Sequence, residues 1–202
     1  LYTTMTPASG FGINLFVGRF TYWRNLDGGV DARIIEAARL GQRQARAELL
    51  ASLQDVWFRF CLKLLNDSDR ATDATQETAL RFLSQLASFR GESQLRTWSL
   101  GIALNVCREM NRKRPSESLV DRDMPTSAAP IDASASRLEE HAMLRQTLDA
   151  LPDRQREAIV LRFFEELSIE ETAAAMQCAT GTVKATIHQA LRSLRRQMTP
   201  TP

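Results

Sequence analysis

Cysteine and histidine are scarce in this chain, and those present are scattered. Its 202 residues hold three cysteines, with no C-x-x-C pair among them, and two histidines, His141 and His188, that lie far apart in the sequence. An odd number of widely spaced cysteines argues against a disulfide framework, and the same spacing forms no zinc-ligand cluster. We therefore expect reduced thiols, no metal site and no cofactor, in a protein of the cytoplasm.

Long apolar runs and catalytic motifs are missing as well. No hydrophobic stretch approaches 18 residues, so the sequence predicts no membrane span. It contains no G-x-x-x-x-G-K phosphate loop, no G-x-S-x-G turn and no H-E-x-x-H helix. A hydrolase or transferase needs a feature of this kind, and we therefore expect a protein that is not an enzyme and has no catalytic residues.

Strand-like alternation of useful length is also absent, and helical periodicity takes its place. Apolar rows at helical spacing follow one another between residues 31 and 114: Leu49, Leu53, Trp57, Phe60 and Leu64, then Ala79, Leu83 and Leu86, then Leu95, Trp98, Ile102, Val106 and Met110. An acidic segment rich in Pro, Ser and Ala follows, and helical patterns then resume and run to residue 198.

This pattern predicts an all-α protein with two small helical domains joined by a flexible linker. We place the domains at 31–114 and 141–198 and the linker at 115–140, and we expect the second domain to have four helices and a C-terminal helix-turn-helix. Residues 1–30 have scattered aromatics and no helical period, and we expect them to be an extension that is dispensable for function.

The stretch from Leu167 to Leu191 is the most informative part of the chain, because it predicts two short amphipathic helices joined by a tight turn. Ser168 and Glu171 have the spacing of a capping box at the start of the first helix. Gln177 to Thr180 form the turn, with Thr180 as the predicted N-cap of the second helix. That helix should bury Val183, Ile187, Leu191 and Leu194, and we expect the residues between them to point outward.

The outward face of this second helix is polar at its start and cationic towards its end. It comprises Thr182, Lys184, Ala185, Thr186, His188, Gln189, Arg192, Arg195 and Arg196. Small polar side chains near a helix N-terminus can approach base edges, and arginines further along can meet phosphates. Any small helical domain can carry an amphipathic hairpin, but the absence of acids from the second helix favours DNA binding.

Taken together, four motifs in this order resemble the two-domain bacterial sigma factors, the extracytoplasmic-function (ECF) group of the sigma-70 family. The resemblance covers about residues 31 to 198. It rests on Asp73-Ala-Thr-Gln-Glu77 with Arg81, on Phe89-Arg-Gly-Glu-Ser93 with the Leu95-Arg-Thr-Trp98 and Ile102-Ala-Leu-Asn105 segments, on Leu151-Pro-Asp-Arg-Gln-Arg156, and on Gly181-Thr-Val-Lys184.

Several positions depart from the family pattern. Glu166 and Gln177 occupy positions where the family usually has glycine, and Ala185, Thr186 and Gln189 replace the serine and arginines that members often carry on the recognition helix. Fewer cations on that helix predict modest affinity for the upstream promoter element.

The resemblance implies a role for three groups of residues. Asp73, Gln76 and Glu77 would dock on the clamp helices of the polymerase's largest subunit, although a charged row taken alone is usually only a solvated face. The outward face of the recognition helix would read the −35 element. The −10 element would be read by Phe89, Arg90, Gly91, Glu92, Ser93, Arg96, Trp98, Asn105, Arg108, Arg112, Lys113 and Arg114, although Trp98 also fits a core position.

We therefore expect a sigma factor that binds core RNA polymerase and promoter DNA, directs promoter-specific transcription initiation, responds to stress or another signal and is controlled by an anti-sigma factor. The acidic linker either only stays solvated or, as in the family, threads the polymerase's main channel. The alternative is a stand-alone helix-turn-helix regulator with an unrelated helical sensing domain. The block from Asp73 to Asn105 discriminates between the two, because a sensor needs no polymerase-docking helix.

Overall fold

The computed structural model describes residues 31–113 and 146–198, and over these ranges every regular element is helical. This confirms the all-α prediction. The predicted extension at 1–30, the whole predicted linker at 115–140, Arg114 and His141 lie outside the described residues. No helix in the described part of the chain is both long and apolar enough to cross a membrane.

Four helices form the first unit: α1 (Ala32–Arg39), α2 (Arg43–Leu65), α3 (Ser68–Gln85) and α4 (Leu95–Arg112). Aspartates cap two of them. Asp31 accepts a hydrogen bond from the Arg33 amide, and Asp67 accepts one from the Arg70 amide, both at 2.9 Å. Each cap satisfies a backbone N–H that has no partner within the helix, and so fixes where α1 and α3 begin.

The core of the first unit is aromatic. The Trp57 and Phe60 side chains of α2 and the Phe82 side chain of α3 are fully buried, and the Trp57 and Phe82 ring centroids are 5.2 Å apart. The Trp57 indole N–H donates to the Ser99 hydroxyl of α4 at 3.0 Å, so its polar atom is satisfied inside the core. Each large buried side chain contributes about 1.5–3 kcal/mol. Three helices are thereby fixed around one cluster.

The apolar row predicted for α2 is confirmed, because all five of its members are buried. The row predicted for α3 is confirmed only in part. Leu86 is fully buried, whereas Ala79 and Leu83 are partly buried against the core. The fully buried face of α3 consists of Ala71, Ala74, Thr78 and Phe82, which the predicted row did not include. Thr78 fits in the core because its hydroxyl donates to the Ala74 carbonyl at 2.6 Å.

Three helices form the second unit: α5 (Asp153–Ile159), α6 (Ile169–Met176) and α7 (Thr180–Met198), with residues 146–149 also helical. A wider π-helical turn, Val160–Phe164, continues α5. Val160, Leu161 and Val183 are fully buried in the core of the second unit. The two units touch along α4 and α6, where a Cβ built on Gly101 would lie 3.6 Å from the backbone of Ala175.

Candidate nucleic-acid interface

The helix-turn-helix is formed by α6 and α7. The predicted capping box is present: the Ser168 hydroxyl accepts from the Glu171 amide at 3.0 Å, and the Glu171 carboxylate accepts from the Ser168 amide at 2.8 Å. These hydrogen bonds, with the Ser168 backbone as the largest contributor, lower the pKa of Glu171. The start of α6 is therefore fixed by charge-assisted hydrogen bonds.

A left-handed residue makes the turn between these two helices. Gln177 ends α6 with φ 55° and ψ 51°, and its N–H bonds back to the Ala173 and Ala174 carbonyls. Helix α7 begins at Thr180 itself, and the Ala179 carbonyl accepts from the Thr182 and Val183 amides. Thr180 is thus the first helical residue, and its prediction as the N-cap was wrong by one position.

Helix α7 presents two distinct faces. Val183 and Ala190 are fully buried and Ile187 nearly so, while Leu191 and Leu194 are partly covered. Ala190 was predicted to point outward and instead packs inward, because it continues the i, i+3 spacing from Ile187. The predicted outward residues are exposed except for Thr186, which is half-buried and donates its hydroxyl to the Thr182 carbonyl at 2.8 Å.

The exposed face of α7 therefore carries Lys184, His188 and Arg192 in one stripe, with Arg195 and Arg196 beyond them. No acid occurs anywhere from Thr180 to Met198. The helix N-terminus adds the partial positive charge of its free amides. This geometry and charge suit insertion into a DNA groove, with the N-terminal turns nearest the bases.

A second candidate surface lies between α3 and α4. Asp73 and Gln76 are exposed and Glu77 is half-exposed, and together with Leu80 they line one side of a groove of about 400 Å³. Leu80 does not belong to the buried face of α3, although it is apolar. It is 65% exposed and gives the groove an apolar edge.

Arg81 holds this groove together. Its guanidinium bonds in bidentate fashion to Glu109 of α4 at 2.7 and 2.8 Å and also to Glu77 at 2.6 Å. The hydrogen bonds with Glu109, followed by those with Glu77, raise the pKa of Arg81, and the same guanidinium lowers the pKa of Glu109. Arg81 therefore ties α3 to α4 and orients Glu77 along the groove.

The loop from Phe89 to Ser93 has a fixed base and an open tip. The Phe89 ring is 7% exposed and packs on Trp98, with 5.1 Å between the ring centroids, and Trp98 packs in turn on Phe82. At the tip, Arg90, Gly91 and Glu92 are exposed, and Gly91 has φ +73°. Phe89 was assigned to DNA contact, but its buried ring supports the loop in this conformation, whereas the tip is accessible.

The predicted DNA-facing side chains of α4 fall into two groups. Arg112 and Lys113 at its end are exposed. Arg96 and Arg108 instead form ion pairs with acids of the second unit, at 2.6 Å from Glu165 and 2.8 Å from Glu157. Asn105 is half-buried and accepts a hydrogen bond from Arg108 at 3.3 Å. Sequence spacing gave no signal of these two pairings, because Glu165 lies 69 positions from Arg96 and Glu157 lies 49 positions from Arg108.

A helix-turn-helix with a cationic outer face lies beside a second helical unit that has its own cationic helix and a polar groove, and this combination is typical of a DNA-binding transcription factor. Family comparison agrees with this class. Residues 49–116 match the family described as "Sigma-70 region 2", and residues 141–194 match the family described as "Sigma-70, region 4".

Individual relatives lead to the same family. The ECF RNA polymerase sigma factor EcfG of Rhodopseudomonas palustris is 35% identical over 74% of this chain and 82% of its own length, and SigC of Mycobacterium tuberculosis is 32% identical over 86% and 94%. The fold resembles the sigma factor RpoE from Bartonella quintana, solved with the anti-sigma factor NepR, with TM-score 0.58 and 25% identity over 74% of this chain and 94% of that one.

The chain belongs to the sigma-70 family and, within it, to the ECF sigma factors. It is therefore a promoter-directing factor of transcription initiation and not an enzyme. The alternative of a regulator with an unrelated sensing domain is not favoured, because the first unit itself matches sigma-70 region 2.

Proposed function

We propose that this sigma factor divides its task among three surfaces: the α3–α4 groove docks on core RNA polymerase, the loop tip and α4 bind the −10 element, and α7 reads the −35 element. The observation that carries the proposal is the continuous exposed polar and cationic face of α7, which has no acid along its length. A face of this kind has little use in a protein that does not meet a polyanion.

The docking role is supported by the composition of the groove. Asp73 and Gln76 are exposed polar groups on one side of Leu80, and Arg81 holds Glu77 beside them. An apolar side chain within a polar rim is the usual arrangement of an energetically important protein contact. We assign Leu80 to that contact together with Asp73, Gln76 and Glu77.

The −10 role rests on the exposed loop tip and on the cations of α4. Arg90 has a side chain that is 82% exposed, and Gly91 allows the backbone to approach a base closely. Half-buried Trp98 lies at the base of this loop. An aromatic and an arginine beside a flexible turn can hold an unstacked base.

An anti-sigma protein is the proposed regulator. The similar sigma factor RpoE was solved in complex with the anti-sigma factor NepR. We infer a partner of the same kind for this chain, released on a stress or other signal. Because transcription in a bacterium takes place in the cytoplasm, we also place the protein there.

Run-off transcription with core polymerase and a library of genomic promoters tests the division of labour. The double variant Asp73→Ala with Glu77→Ala should lose holoenzyme formation while keeping its helicity, because Asp73 is exposed and Arg81 keeps its bidentate pair with Glu109 when Glu77 is removed. Asp69→Ala, on the first turn of the same helix, is the control. Equal core affinity for the folded double variant and the control would remove the docking assignment.

A further inference from the structure

The contact between the two units is built from oppositely charged groups. The first unit contributes the cations Arg96, Arg108 and Lys63, and the second contributes the carboxylates Glu157 and Glu165. Both carboxylate side chains are less than a tenth exposed. Carboxylates that are this well covered need such partners, because burial of an unpaired charge is costly.

Hydrogen-bond geometry makes these pairs specific. Arg96 donates to the Glu165 carboxylate at 2.6 Å and to the Glu165 carbonyl at 2.9 Å, and Lys63 donates to the other carboxylate oxygen at 3.3 Å. Arg108 binds both oxygens of Glu157, at 3.0 and 2.8 Å. Bidentate pairs of this type fix orientation as well as contributing energy.

Two further hydrogen bonds extend the same interface. The Thr97 hydroxyl donates to the Glu171 carboxylate at 3.3 Å, and Arg156 donates to the Leu64 carbonyl at 3.1 Å. Gly101 of α4 also lies against the backbone of Ala175. The second unit therefore covers one side of α4 along several turns.

This arrangement conflicts with DNA binding by α4. Arg96 and Arg108 are among the side chains proposed to follow the promoter phosphates, and here each is neutralised by a carboxylate. A phosphate that binds the same guanidinium nitrogens must displace that carboxylate. The outer face of α7 stays open in the same arrangement.

We propose that Glu157 and Glu165 form an acidic latch that occupies the DNA-binding cations of α4 and keeps the free sigma factor closed until polymerase and promoter displace it. The proposal rests on the proposed role of α4 at the −10 element. The latch exchanges carboxylate for phosphate on the same two guanidinium groups, so the closed and DNA-bound states exclude each other.

Neutralising the latch should open the chain. We expect Glu157→Gln with Glu165→Gln to increase the radius of gyration of the free full-length protein in small-angle X-ray scattering. The same variant should bind a short, labelled single-stranded DNA of mixed sequence about tenfold more tightly than wild type, because the two carboxylates no longer compete with DNA phosphates for Arg96 and Arg108. The matched control is Glu166→Gln with Glu170→Gln, which changes the net charge equally at exposed positions and should have less than about a twofold effect.

A steric pair opens the same interface without changing any charge. At Gly101 the Ala175 backbone leaves room for a Cβ at ordinary contact distance and for little more. Gly101→Leu should therefore separate the units and tighten DNA binding, whereas Gly101→Ala should behave as wild type. This pair remains informative if the glutamine variant fails to fold, which circular dichroism would show.

Two results would overturn the latch. One is a wild-type radius of gyration in both opening variants when each is folded. The other is an increased radius without tighter DNA binding. Failure of the α4 assignment is separable, because Arg96→Gln with Arg108→Gln should reduce promoter-specific transcription by the holoenzyme whether or not the free protein is closed.

Discussion

Gln177 and Glu166 offer a direct test of how local strain is distributed in the second unit. Both residues have positive φ, 55° for Gln177 and 56° for Glu166, and both side chains are exposed. The left-handed region costs a residue with a Cβ about 1–2 kcal/mol relative to glycine. Glycine at either position should therefore relieve strain in the folded state.

Part of that gain is offset in the unfolded chain. Glycine adds conformational freedom there, which destabilises the folded protein by about 0.4–1 kcal/mol. The net expectation is a stabilisation of about 0.5–1 kcal/mol for each of Gln177→Gly and Glu166→Gly. Both side chains are exposed and share no hydrogen-bond or ion-pair partner within the described residues, and their effects should therefore add.

Asn66 is the matched control. It also has a left-handed backbone, with φ 51°, but asparagine tolerates this conformation better than most residues, and its side-chain amide donates to Asp149. Asn66→Gly should therefore destabilise the protein. Urea denaturation with m-values compared across the three variants is the assay. If Gln177→Gly and Glu166→Gly are neutral or destabilising, the strain assigned to these turns is absent.

Three further predictions concern docking, pH and DNA reading. Leu80→Ala should weaken binding to core polymerase by about 1–2 kcal/mol without loss of folding stability, because the side chain is exposed in the free protein, and fluorescence anisotropy with labelled sigma factor measures it. The capping hydrogen bonds lower the pKa of Glu171, so its carboxylate should stabilise the fold at pH values above the ordinary carboxyl pKa of 4.5. That stabilisation should be lost as the pH falls through the lowered pKa. The destabilisation caused by Glu171→Gln, measured by urea titration, should therefore become smaller in acid. Lys184→Ala should change base preference at the upstream element by about 1–3 kcal/mol, whereas Arg192→Ala should weaken all sequences alike and reduce the salt slope by about one, which holoenzyme competition binding across a salt series resolves.

Features encoded by neighbours in sequence could be predicted well. The capping box of α6 needs only Ser168 and Glu171, three positions apart, and it is present with both hydrogen bonds. The buried row of α2 repeats large apolar side chains every three or four residues, so its face was unambiguous. The outward face of α7 was predictable for the same reason, apart from Ala190.

Small and amphipathic residues were less predictable. Ala190 is small enough for either face, and only its spacing from Ile187 places it inside. The pattern around α3 was misleading, because Thr78 takes a core position while Leu80 lies on the surface. What distinguishes Leu80 is its place in the groove between α3 and α4, beside Asp73, Gln76 and Glu77. That place, and not exposure alone, is the reason for proposing a partner there.

The ion pairs between the units could not be predicted from spacing at all. Glu165 and Arg96 are 69 positions apart, and nothing in their spacing links the two. The sequence does show that α4 has three cations, Arg96, Arg108 and Arg112, and one acid, Glu109. When DNA is not bound, excess positive charge on a helix attracts nearby carboxylates. The second unit supplies two of them, Glu157 and Glu165, and because both are buried each ion pair is stronger than it would be on an open surface. Arg96 and Arg108, which we propose bind promoter phosphates, are therefore paired with Glu165 and Glu157 while the sigma factor is not bound to DNA.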